Sequence, residues 1–91
     1  MFCVHVDLRG AVPSTLEKTY QEFFVPAITS QQGLIAVDLL RSYDNDGSYR
    51  LTIVFSNRDL QQMWVATYLH QQVWTQIESC CASYDVKAFT S

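Results

Sequence analysis

The sequence predicts an α+β fold. It reads as a ferredoxin-like βαββαβ chain, with one four-stranded antiparallel sheet and two helices on one of its faces. Three observations carry this. Apolar residues alternate with period two in short segments, as in half-buried strands. Two longer segments instead repeat apolar residues at steps of three and four, as in helices with one buried face. A dense turn signal, Asp44-Asn45-Asp46-Gly47, joins the two middle strands. The order of these periods along the chain is that of the split βαβ arrangement.

Each element has its own justification. In residues 2–9, Phe2, Val4, Val6 and Leu8 point one way, and Cys3, His5, Asp7 and Arg9 the other; Gly10 and Pro13 end this strand. Ser14 and Glu17 form a capping-box pattern that predicts a helix start. The buried face of that helix is expected at Leu16, Tyr20, Phe23, Phe24, Ala27 and Ile28, with a kink at Pro26 and an end at Gly33. The apolar run Leu34 to Tyr43 predicts a strand covered on both faces, with Asp38 paired to Arg41 or Arg50. Asn, Asp and Gly tolerate the positive φ that the hairpin turn needs. Tyr49, Leu51, Ile53 and Phe55 then alternate with Arg50, Thr52 and Val54 in a third strand.

Ser56 or Asn57 caps a second helix. Its apolar stripe is expected at Leu60, Met63, Thr67, His70, Trp74, Ile77 and Cys81, with Trp64 at the edge, Tyr68 off the stripe, and Gln61, Gln62, Gln72 and Gln76 on the solvated side. Tyr84 to Phe89 alternates again as the last strand.

Composition bounds the function. The chain has 91 residues, 48% hydrophobic and 16% charged, which fits a single domain over residues 1–91 and excludes a disordered or collagen-like chain. So much apolar residue in so small a domain calls for a partner surface. The net charge is -3, and the six Lys and Arg are scattered. Nucleic acid and anionic membranes therefore lack an electrostatic footprint to bind. No apolar run reaches the roughly 18 residues of a membrane span, and no signal peptide is evident. Cys3, Cys80 and Cys81 form no disulfide framework and read as free thiols in a reducing compartment, so cytoplasmic residence is expected. With two His and no ligand spacing, no metal site is expected. His5 and Asp7, sharing one strand face, read as a polar pair at an interface or sheet edge. Phosphate-loop, dinucleotide and Ser-His-Asp patterns are absent.

Several segments carry a resemblance: Val4-His5-Val6, Pro26-Ala27-Ile28 followed by Gly33, Leu39-Leu40-Arg41-Ser42, Tyr49 through Phe55, and Trp64-Val65-Ala66-Thr67-Tyr68-Leu69-His70 followed by Trp74. With these the chain resembles the antibiotic biosynthesis monooxygenase (ABM) type of dimeric α+β barrel protein. The resemblance implies a homodimer packed sheet to sheet, with a small pocket between each sheet and its own helices. It also implies a cofactor-independent monooxygenase acting on a small aromatic or quinol-type molecule. The alternatives are a non-catalytic ligand-binding or structural dimer of the same fold, and a haem-binding, haem-degrading enzyme.

The site expected on this basis has His70 and Trp64 as catalytic residues, with Thr67, Tyr68, Trp74 and Asn57 contacting substrate and no cofactor. His70 reads three ways: a general base, since imidazole titrates near neutrality; a haem ligand; or a pocket-edge histidine bonded to a backbone carbonyl. Trp64 and Trp74 stack a planar ligand or fill the core. Asn57 polarises a substrate carbonyl or caps its helix. Where the haem-degrading branch carries a first-strand Asn, this chain has Cys3, His5 and Asp7.

Overall fold

The computed structural model describes residues 1–91. Strands β1 (Phe2–Arg9), β2 (Leu34–Arg41), β3 (Tyr49–Phe55) and β4 (Ser83–Thr90) form one sheet. Its order is β2-β3-β1-β4, with every neighbouring pair antiparallel. Helical segments α1 (Pro13–Thr19), a π-helical turn (Tyr20–Phe24) and α2 (Val25–Thr29) precede β2; α3 (Arg58–Val65) and α4 (Tyr68–Glu78) lie between β3 and β4. This is the predicted ferredoxin-like architecture.

The two central strands supply the floor of the core. Val4, Val6 and Leu8 of β1 and Tyr49, Leu51, Ile53 and Phe55 of β3 are all buried on the helix side, as the alternation predicts. Leu16, Phe24, Ala27, Ile28, Trp64, Val73, Ile77 and Cys80 close over them. The hairpin between β2 and β3 also forms as expected, with Asn45 at φ 54° and Gly47 at φ 83°. Ser48 N–H donates to Asp46 Oδ1 at 2.9 Å and tightens the turn.

The first helix departs from expectation in three ways. Its N-cap is Val12, not Ser14, because Pro13 occupies the first helical position, where its missing N–H costs nothing. Glu17 is thereby freed from capping and accepts a 2.5 Å hydrogen bond from the buried Tyr49 hydroxyl. The helix then widens before Pro26: Val25 N–H reaches back five residues to the Tyr20 carbonyl. That extra residue rotates the helix face. Phe24 stays buried while Phe23, expected inside, is half exposed.

The second helix is two helices. Ala66 and Thr67 interrupt it, and the buried face changes phase there. Leu60, Gln61 and Trp64 face the core from α3, and Val73, Ile77 and Cys80 face it from α4 and the residues that follow. Met63, expected on the stripe, is exposed, whereas Gln61, expected in solvent, is buried.

In β2, the register shifts between Leu34 and Ala36. A bulge of this kind reverses the alternation beyond it. Leu34 faces the helices, but so do Val37 and Leu39, and Asp38 turns outward. Asp38 is exposed and pairs with no cation, contrary to expectation; Arg50 takes Asp7 at 2.7 Å, and Arg41 lies 3.7 Å from Glu17. Nor is β2 covered on both faces within the chain, since Ile35 and Leu40 are each 53% exposed. The open sheet face is mixed. Ala36, Leu40, Val54, Cys3 and Phe89 share it with the Asp7–Arg50 and Arg9–Asp85 ion pairs. His5 lies against Phe89 there, with ring centroids 5.1 Å apart, rather than pairing with Asp7.

Two stability outcomes follow. Leu16→Ala removes a fully buried side chain and should cost about 2–5 kcal/mol in urea unfolding, whereas Tyr43→Ala, at a fully exposed position, should change stability by less than about 0.5 kcal/mol. Burial, with the Glu17 hydrogen bond second, raises the Tyr49 pKa. The unfolded chain therefore ionises first, and stability should fall as pH climbs above the ordinary tyrosine value of about 10. Tyr49→Phe should flatten that alkaline loss.

Candidate active site

Between the helix side of the sheet and the helices lies a cavity of about 220 Å³. Its floor is Val4, Val6, Ile53 and Val86; its roof is Phe24, Trp64, Val65, His70 and Trp74, with Gln61 and Tyr84 completing it. Val6 and Val86 are register partners, as are Leu8 and Tyr84, so β4 extends the same face. Yet no residue of β4 is buried, because the helices stop short of this edge. The cavity is therefore least covered along the β4 edge, at Tyr84 and Val86. Trp74 and Tyr84 meet edge to face there, centroids 5.1 Å apart.

Of the eleven lining residues, His70, Gln61, Tyr84, Trp64 and Trp74 have side chains that can hydrogen-bond, and none carries a formal charge at neutral pH. His70 stands edge-on to Trp64, with centroids 5.1 Å apart and planes at 89°. Its ring hydrogen-bonds no protein group, so the expected alternative of a backbone-carbonyl partner is not what holds it. Trp64 packs in turn against Phe24, edge to face at 6.3 Å. Trp64 is 2% exposed and sits in the centre of the core rather than at its margin. Burial pushes the His70 pKa below the ordinary imidazole value, which favours the neutral ring. A neutral imidazole can accept a proton from a ligand hydroxyl or donate its own N–H.

Of the six residues expected at the site, Trp64, His70 and Trp74 line the cavity. Thr67, Tyr68 and Asn57 do not. Thr67 Oγ1 donates to the Trp64 carbonyl at 2.7 Å and accepts from His70 N–H at 3.0 Å, which uses its hydroxyl in the helix junction. Asn57 Oδ1 accepts from Leu60 N–H at 2.9 Å and caps α3. Tyr68 is 75% exposed and points into a separate open groove on the outer helix surface, with Phe23, Pro26 and Leu69. That groove, about 780 Å³, is larger than the inner cavity, but Glu22 is its one ionisable side chain apart from the Tyr68 phenol. The imidazole of His70 lies in the inner cavity instead.

Sequence reasoning missed Gln61. Its signal was present, because Gln61 lies three residues before Trp64 and so shares its helix face. No group of three or more His, Cys, Asp or Glu side chains could hold a metal ion, and no helix is long and apolar enough to cross a membrane.

The depressed His70 pKa gives a signed expectation. The unfolded chain takes up the proton first, so this contribution to stability is present above about pH 6.5 and is lost as pH falls. Thermal unfolding from pH 7.5 to 5 should show a decline that His70→Gln reduces.

No protein-family model matches the chain, and no curated protein matches it in sequence. Solved structures do match. SnoaB, a cofactor-independent oxygenase from Streptomyces nogalater, superposes with TM-score 0.81 at 22% identity over 99% of this chain and 89% of its own. A mutant of the same protein gives TM-score 0.85 at 20% identity over 99% of this chain and 90% of that one. An antibiotic biosynthesis monooxygenase structure matches with TM-score 0.79 at 16% identity, covering 100% of this chain and 98% of that one. Over its whole length, then, this chain has the fold of the antibiotic biosynthesis monooxygenases.

Proposed function

We propose that the protein is a cofactor-independent monooxygenase of the ABM type that oxidises a small aromatic or quinol-type molecule in the cavity under Trp64. The observation that carries this reading is His70. Its ring is half-buried, biased to the neutral form, free of protein hydrogen bonds, and fixed edge-on to Trp64 in a largely apolar cavity.

In this reading His70 acts as general base. It takes the proton of a ring hydroxyl, and the resulting electron-rich anion supplies the electrons to dioxygen. A hydroxyaromatic and one O₂ give a quinone and one water: a ring C–H and the O–H are lost, and a second C=O forms. Trp64 and Trp74 hold the ring by its faces and edges. The apolar walls keep water from quenching the intermediate.

The reading includes a homodimer, formed through the open sheet face. Ile35 and Leu40 at 53% exposure and Phe89 at 44% would there leave water. A non-catalytic ligand-binding dimer is the other outcome of the same experiments.

Oxygen uptake with a panel of hydroquinones and naphthols tests the chemistry. Turnover should fall by about 10²–10⁴ in His70→Ala, the usual share of a general base. Uptake that is absent across the panel, or indifferent to His70, would refute the catalytic reading. In sedimentation the particle should have about twice the 10.4 kDa chain mass. Val54→Arg on the open sheet face should shift it towards monomer.

A further inference from the structure

The sheet ends in two edge strands, and they are not alike. An edge strand presents a row of unpaired backbone N–H and C=O groups, which proteins blunt with bulges, Pro, charges or a covering element. At β2 the register shift between Leu34 and Ala36 breaks the row. At β4 no such break exists. Its register with β1 runs unbroken from Ser83 to Thr90, it contains neither Pro nor Gly, and no residue in it is buried.

The hydrogen-bond alternation fixes which backbone groups are free. Antiparallel partners alternate between pairs that exchange both hydrogen bonds and pairs that exchange none. Ser91 N–H donates to the Met1 carbonyl at 3.0 Å, so in this register the residues of β4 bonded to β1 are Phe89, Lys87 and Asp85. At the other edge, Ser42 N–H donates to the Ser48 carbonyl at 2.9 Å, and the same alternation carried across β3 and β1 gives the same answer. Tyr84, Val86 and Ala88 therefore aim their N–H and C=O groups outward from the edge.

Charge then selects a partner. Asp85 and Lys87 flank Val86 on the open sheet face. Lys87 has no ion pair in its own chain, and its ammonium lies 5.5 Å from the Phe89 ring centroid. Asp85 stands directly across from Asp7, and Arg9 engages its Oδ2 and leaves Oδ1 free. A second β4, laid antiparallel about a two-fold axis at Val86, satisfies both. Val86 then faces Val86 of the partner subunit, Tyr84 faces the partner's Ala88, and their outward N–H and C=O groups bond each other. Asp85 faces the partner's Lys87, and by symmetry Lys87 faces the partner's Asp85. Moving the axis by one residue sets Asp85 against the partner's Asp85, or Lys87 against the partner's Lys87, and like charges directly opposite are destabilising.

We propose that the β4 edge is a self-recognition surface, and that its partner is the β4 edge of a second copy in the register centred on Val86. The contact is separate from packing on the open sheet face and rests on no catalytic reading. It brings the sparsely covered sides of two cavities together, since Tyr84 and Val86 belong to both the cavity wall and the edge. One strand pair buries less than the about 1,200 Å² of a stable interface, so the association is weak and reversible.

Sedimentation equilibrium of the whole chain carrying Val54→Arg, which disfavours packing on the sheet face, isolates the contact. Between about 10 µM and about 1 mM in low salt the particle should double reversibly in mass, and about 0.5 M salt should weaken the doubling. Asp85→Lys alone, or Lys87→Asp alone, sets like charges opposite at both places and should weaken association about tenfold or more. An equal mixture of these two variants restores unlike pairs and should return the affinity to within about threefold of the parent. Val86→Pro deletes an outward N–H and no bond to β1, so it should abolish the doubling while the far-ultraviolet circular dichroism stays unchanged. No doubling in the parent, single variants that associate as the parent does, a mixture that stays apart, or undiminished association of folded Val86→Pro would each overturn the proposal. None of these readouts involves substrate or oxygen, so loss of the catalytic reading would leave this one standing.

Discussion

The Thr67 hydroxyl joins two helices that the sequence pattern runs together. It donates to the Trp64 carbonyl at the end of α3 and accepts from the His70 amide in the first turn of α4. A continuous helix would leave no such junction, because Thr67 at φ -78°, ψ 150° is in extended conformation. The break lets α3 deliver Trp64 into the core and α4 set His70 against it at 89°. Through Trp64 the same junction reaches Phe24, and with it the π-helical turn of the first helical layer. Thr67 thus positions the site without lining it.

The cavity exists because the helical layer is narrower than the sheet. Helices cover β1 and β3 fully, β2 partly, and β4 hardly at all. The edge left bare by α4 is where Tyr84 and Val86 form the mouth. A wider helical layer would bury β4 and fill the space. The arrangement leaves the half-buried His70 and the buried Gln61 among mostly apolar side chains. There each hydrogen bond is stronger than in water and each unmet one more costly.

The opposite sheet face answers the composition. A chain with 48% hydrophobic residues and helices for one face only must expose apolar side chains on the other. That face is less uniform than a packed core, because the Asp7–Arg50 and Arg9–Asp85 pairs sit beside Leu40, Val54 and Phe89. Ion pairs of this kind contribute little to stability when exposed, but they restrict how a second sheet can sit on the face.

By itself the sequence determined the strands, their order and the central core. Period-two alternation in β1 and β3 is a local property, and no tertiary contact overrode it. It also determined that Trp64, His70 and Trp74 belong near one another, since they lie within three turns of helical sequence. Only the tertiary structure decided the phases. The bulge at β2 turned Asp38 outward, the π-helical turn before Pro26 put Phe23 outside, and the Thr67 break exchanged Met63 for Gln61 on the buried face. Each is an insertion or interruption of one or two residues. A periodic reading carries its phase forward and cannot register such a slip, whereas packing against a sheet rewards only the side chains that end up facing it.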